Sequence, residues 1–180
     1  MNQPRYTHTA VALHWLLAVM LATAFALGSY MMDLKLSPAK LQYYSWHKWL
    51  GMTVLAFALL RLAWRLTHRP PPLPSSTPRW QVLAAASGHW ALYFLMLAIP
   101  LSGWAFSSAA GYPVVYLGIW QLPDWVPKDK ALAEQMQDAH EWLTTLLWVV
   151  VAVHISAALK HQFIDRDGLL GRMWFARKGS

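Results

Sequence analysis

Eight histidines, at positions 8, 14, 47, 68, 89, 140, 154 and 161, are the residues of this 180-residue chain with the most chemistry to offer. Imidazole is the commonest metal ligand and the side chain that exchanges protons near neutrality. His140 and His154 are fourteen residues apart, which on a helix is about 21 Å along the axis and within about 40° of the same face. One helix would therefore carry two imidazoles on one stripe at two depths. His47 matches the first in depth and His14 the second, given the helices described below. Two nitrogens rarely complete a zinc or copper shell, and no carboxylate or thiolate joins either pair at depth. A haem iron brings four nitrogens of its own and needs only two axial ligands. His47 with His140, and His14 with His154, thus fit two bis-histidine haem b groups. The chain has no cysteine, so the haems would be held without covalent attachment, and disulfides, thiolate-held iron–sulfur clusters and cysteine zinc sites are excluded.

The elements that must position these rings are membrane helices. Hydrophobic residues make up 57% of the chain and charged residues 13%, about half the usual ~25% charged share. Four segments reach the roughly 20 apolar residues that a span needs, at about 9–32, 46–66, 82–106 and 140–161. This predicts an all-α, four-helix membrane bundle forming a single domain over residues 1–180. Pro100 is expected to kink the third span. The connection from Asp33 to Ser45 is short, Pro70 to Pro74 forms a stiff polyproline spacer, and Gly111 to Asp138 is the one long loop, with helix from about Ala131 onward. The first span resembles a secretory signal with an Ala24-Phe25-Ala26 triplet, but it is too long and contains His14, so it is expected to remain as a helix. Twelve tryptophans, among them Trp15, Trp46, Trp49, Trp80, Trp90 and Trp142, suit an interfacial belt.

The net charge of +7 lies at the ends of apolar runs, not in a basic block, which argues for topology and against nucleic acid as a partner. Ten Lys/Arg fall on the side of the termini and five on the other, with net charges of +8 and −1 respectively. The positive-inside rule then puts both termini in the cytoplasm. His14 and His154 come out toward the inner surface, and His47 and His140 toward the outer one.

Several residues have competing assignments. His89 lies at nearly the depth of His14 and competes for the inner iron. A porphyrin beside its ligand favours a small residue one turn on, and Ala18, Gly51 and Ala158 follow His14, His47 and His154, whereas Tyr93 follows His89. His161, two turns beyond His154, is placed to hydrogen-bond a quinone carbonyl or a haem propionate, or to rest at the interface without a role. Arg61 and Arg65 can clamp propionates or serve as positive-inside anchors. A histidine-lined proton or metal transporter would also place imidazoles inside a bundle; haem content separates it from a cytochrome.

The ordered set Ala12-Leu13-His14-Trp15-Leu16, His47 with Gly51, Arg61-Leu62-Ala63-Trp64-Arg65, Gly88-His89, Ala139-His140-Glu141, and His154 followed by Ala157-Ala158-Leu159-Lys160-His161 resembles the bacterial cytochrome b561 family. The resemblance implies a four-helix inner-membrane protein with two haem b groups ligated from helices one, two and four. It further implies superoxide oxidase activity, with superoxide as outer donor, ubiquinone reduced near the inner haem, and His161 at the quinone site. Related cytochromes serve as electron-transfer subunits of hydrogenases or dehydrogenases, which would add a redox partner protein. For an anionic donor, Lys48 beside His47 is the residue expected to guide the approach, with Lys35, Lys40, Lys128 and Lys130 on the outer loops.

The charge asymmetry is directly testable. A reporter fused after Ser180 is expected to be active in its cytoplasmic form; activity only in the periplasmic form would invert every depth assigned above.

Overall fold

A computed structural model describes residues 5–75 and 77–174. Four helices run up and down: α1 (His8–Asp33), α2 (Pro38–Thr67), α3 (Arg79–Ala109) and α4 (Lys130–Lys160). All four are long and apolar enough to cross a membrane, as expected. Their large apolar side chains, such as Val19, Phe94 and Val153, remain exposed on the outside of the bundle, where hydrocarbon replaces water as the solvent.

Local capping decides where the helices begin. Thr7 Oγ1 accepts from the Ala10 amide at 3.2 Å and starts α1. Ser37 Oγ accepts from the Lys40 amide, with Pro38 in the first turn, so α2 starts eight residues before the expected Trp46 and the connection shrinks to residues 34–37. Lys40 Nζ closes that turn by donating to the Leu34 carbonyl at 2.7 Å. Asp129 accepts from the Leu132 amide at 2.8 Å and starts α4 ten residues ahead of His140, in keeping with helix before the span. α3 continues through a buried Pro100 to Ala109, three residues past the expected end. After Lys160 the chain makes one π-turn, His161–Asp165, which ends at Arg166 in the left-handed region with φ 53°.

Within the long loop, which the sequence left without strands, Val115–Tyr116 (β1) and Trp120–Gln121 (β2) form a small antiparallel hairpin. Leu117 and Gly118 turn it, with φ of 53° and 72°. The hairpin lies on α2: Trp49 Nε1 donates to the Val115 carbonyl at 2.6 Å, and the Thr53 and Tyr116 hydroxyls share a hydrogen bond of 2.9 Å.

At the opposite end, Trp64 Nε1 donates to Thr7 Oγ1, Trp15 Nε1 to the Met173 carbonyl, and the buried Arg172 to the Pro72 carbonyl. Both ends of the described chain and the α2–α3 linker therefore meet at one end of the bundle, here termed the terminal end; the hairpin marks the loop end. Arg177 and Lys178, counted above for topology, lie outside the described residues.

The helices pack in sequence, α1 on α2, α2 on α3 and α3 on α4, while α4 makes only sparse backbone contact with α1 and α2. The tightest cluster is Leu17, Val54, Ala58, Tyr93 and Met96, drawn from the first three helices. Leu17 is 2% exposed and Ala58 fully buried. Leu17→Ala is expected to destabilise the bundle by roughly 2–5 kcal/mol, whereas the same change at the outward-facing Leu16 should cost little; unfolding of the detergent-solubilised protein measures both.

Candidate functional site

Four of the predicted histidines meet in two pairs across the opening between α4 and the α1–α2 pair. At the loop end, the rings of His47 on α2 and His140 on α4 have centroids 6.2 Å apart at 82°. At the terminal end, His14 on α1 and His154 on α4 are also 6.2 Å apart, at 65°. Each ring is half-buried. His140 is fixed by its Nδ1–H, which donates to the Ile99 carbonyl of α3 at 2.9 Å and lies 3.2 Å from Ser102 Oγ. That leaves Nε2 free for a second partner.

The spacing suits a metal between the rings. Two metal-to-imidazole bonds of about 2 Å, plus about 1 Å from each nitrogen to its ring centre, put the centroids about 6 Å apart. Each pair offers only two nitrogens, and among the described residues the one cluster of three or more metal-binding side chains lies elsewhere, at His161, Asp165 and Asp167. An iron that already holds a porphyrin fits such a two-ligand site. The surroundings fit as well: a Cβ added at Gly51, one turn after His47, would meet nothing within 4 Å, and Ala18 and Ala158 follow His14 and His154.

The terminal end carries a third imidazole. His89 on α3 has its ring 5.6 Å from that of His154, so His154 is common to both candidate pairs. One turn after His89, Tyr93 is buried and accepts a hydrogen bond from Arg61 Nε at 3.1 Å; a bulky, bonded side chain fills the position that is small after His14. Arg61 and Arg65 stack on Tyr93, and Arg65 also on Trp90. Among the described residues neither arginine has a carboxylate partner, and Arg61 acts electrostatically on His14, His89 and His154 alike. Two such guanidinium groups match the carboxylates that a haem presents.

His161 stands apart from this group. Its Nδ1 pairs with Asp167 Oδ2 at 2.6 Å and approaches Asp165 Oδ2 at 3.2 Å, while Lys160 pairs with Asp165. At the loop end, Lys48 is half-buried; its Nζ donates to the Tyr112 carbonyl at 3.1 Å, and Asp124 is within electrostatic reach. The Lys128 side chain packs against neighbouring Gly111, so two lysines meet the Gly111–Tyr112 turn.

With that geometry established, comparison with known proteins is decisive. A model of the prokaryotic cytochrome b561 family matches residues 5–176. The chain belongs to that family. It is 37% identical to cytochrome b561 homolog 2 of Escherichia coli K12, over 96% of this chain and 93% of that protein. It is 28% identical to cytochrome b561 homolog 1 of the same organism, over 97% and 99%. A Yersinia pestis protein named "probable superoxide oxidase CybB" is 25% identical, over 97% and 98%. This cytochrome b561 is accordingly a multi-pass membrane protein of electron transfer, and its family implies b-type haem.

Sequence reasoning did not anticipate the groups that hold these histidines in place. Ser102 and the Ile99 carbonyl, which reach His140, sit on another helix with no marker of their own. Asp167 follows His161 by only six residues, a local signal that was available. The triangle at the terminal end yields a clear test. His154→Ala and His14→Ala are each expected to remove one haem or convert it to high spin, and His89→Ala to leave the low-spin optical spectrum intact; the reverse result for His14 and His89 would make His89 the ligand.

Proposed function

We propose that this cytochrome carries electrons from superoxide at an outer loop end to ubiquinone at a cytoplasmic terminal end, through two haem b groups held by His47 with His140 and by His14 with His154. The observation that carries the proposal is the pair of 6.2 Å imidazole gaps at two depths of one bundle. When bound, the haems supply the one-electron relay between donor and acceptor. Two superoxide anions give up two electrons and leave as dioxygen; one ubiquinone takes both electrons with two protons and leaves as ubiquinol. The similarity to a probable superoxide oxidase supports this choice of donor, and the +8 terminal side supports the orientation.

The side chains have distinct tasks. Lys48 and Lys128 give the loop end a local positive patch beside His47, which raises the encounter rate of a small anion. Arg61 and Arg65 receive propionates. His161 serves the quinone: as the imidazolium it donates through Nε2 to a quinone carbonyl while Nδ1–H stays on Asp167. Handing over the Nε2 proton leaves a neutral ring on the same Asp167 bond. A second reading, an electron-transfer subunit docked on a hydrogenase or dehydrogenase, is favoured by the bare hairpin tip, where Ile119 is 87% exposed.

Stopped-flow mixing of the purified holoprotein with superoxide tests the proposal. Haem reduction without any partner is expected. Lys48→Glu should slow it more at low salt than at high salt, and His161→Ala should leave reduction fast while slowing reoxidation by ubiquinone. No reduction by superoxide would move the protein to the docked-subunit reading, and an unchanged quinone step would remove His161 from the site.

A further inference from the structure

Each of the two loop-end imidazoles lies against a glycine of a neighbouring helix. On α3, a Cβ added at Gly103 would stand 3.0 Å from His140 Cε1 and 3.1 Å from its Nδ1; the carbonyl one turn earlier, that of Ile99, accepts from the same Nδ1. On α1, a Cβ added at Gly28 would stand 3.1 Å from His47 Cε1 and 3.5 Å from its Nδ1. The carbonyl one turn earlier there is that of Ala24, and the buried His47 Nδ1 beside the glycine completes no hydrogen bond. A helical side chain covers the turn N-terminal to its own Cα, so a glycine uncovers the carbonyl four residues before it. In both places an imidazole has moved into the uncovered space.

We propose that Gly28 and Gly103 are positioning residues that open the Ala24 and Ile99 carbonyls to His47 and His140 and thereby set the ligand strength, and so the reduction potential, of the loop-end haem. This rests on the assignment of His47 and His140 as its ligands. An Nδ1–H held by a carbonyl fixes the tautomer that keeps the Nε2 lone pair for iron, and it makes that nitrogen more basic. A more basic ligand favours ferric over ferrous iron and lowers the potential. Among the described residues, a Cβ added at Gly51, Gly111, Gly118 or Gly171 meets no imidazole within 4 Å.

Redox titration of the purified holoprotein, followed optically and by electron paramagnetic resonance, tests the proposal. Wild type should hold two haems with two midpoints. Gly103→Ala and Gly28→Ala, both of which favour helix, should each displace one imidazole and raise one midpoint while leaving the other in place. Where losing the Nδ1 hydrogen bond changes the preference for ferric over ferrous iron tenfold, the midpoint moves by about 59 mV. The resonance of that same haem should shift its g values, a change that a general loss of stability would not confine to one centre. Gly171→Ala, where an added Cβ meets nothing within 4 Å, should move neither midpoint. Two bound haems with both midpoints unmoved in Gly28→Ala and Gly103→Ala would overturn the proposal alone. A wild-type protein without the second haem would overturn the ligand assignment and the proposal with it.

Discussion

An imidazole inside a bilayer has two ring nitrogens to satisfy and little water to satisfy them with. His140 meets this constraint in full view: Nδ1 goes to the backbone of α3, and the ring stands 6.2 Å from that of His47. The rest of the architecture follows from keeping such gaps open. α4 packs mainly on α3 and meets α1 through Phe25 and Trp148, and its two histidines, about 21 Å apart along the axis, face α2 at one level and α1 at the other. The apolar cluster of Leu17, Val54, Ala58, Tyr93 and Met96 locks the first three helices together and so fixes the wall that α4 addresses.

The two levels are built from different materials. Around His140 the polar partners are the Ile99 carbonyl and Ser102 of α3, and the hairpin folds over α2 nearby through Trp49 and Thr53. Around His14 and His154 the partners are side chains: Arg61 and Arg65 held on Tyr93 and Trp90, with His89 close by. Tyr93 links both tasks, since it belongs to the packed cluster and also accepts from Arg61. A change there would loosen the core and release the guanidinium together.

The spans, the two histidine pairs and their relative depth were legible in the sequence because each depends on short-range periodicity: apolar length gives the helix, and residue count gives the depth. The helix starts were less so. α2 begins at Pro38 because Ser37 caps it and Lys40 closes the turn, local signals that hydropathy alone passes over when it places the span at Trp46. The hairpin escaped because two-residue strands leave almost no pattern, and its turn puts Leu117, a residue that disfavours positive φ, in the left-handed region. The glycines at 28 and 103 escaped for a different reason. A glycine in a membrane helix reads as ordinary packing, and only the neighbouring helix shows that an imidazole lies against it.

With haem at both levels, this contrast gives the molecule a direction. Hydrogen bonds from Nδ1 to carbonyls make an imidazole a stronger donor and favour the oxidised iron, while nearby guanidinium charge favours the site that has gained an electron. The first kind of partner is found at the loop end and the second at the terminal end. On the proposed haem assignment, an electron entering beside His47 would move from surroundings that favour its loss to surroundings that favour its arrival. His161, Asp165 and Asp167 lie just beyond, at the end where protons must join electrons if the acceptor is a quinone. On that assignment the same arrangement would draw electrons from any donor at the loop end, so the proposed polarity rests on the bundle, and the proposed choice of donor on the lysines and the hairpin there.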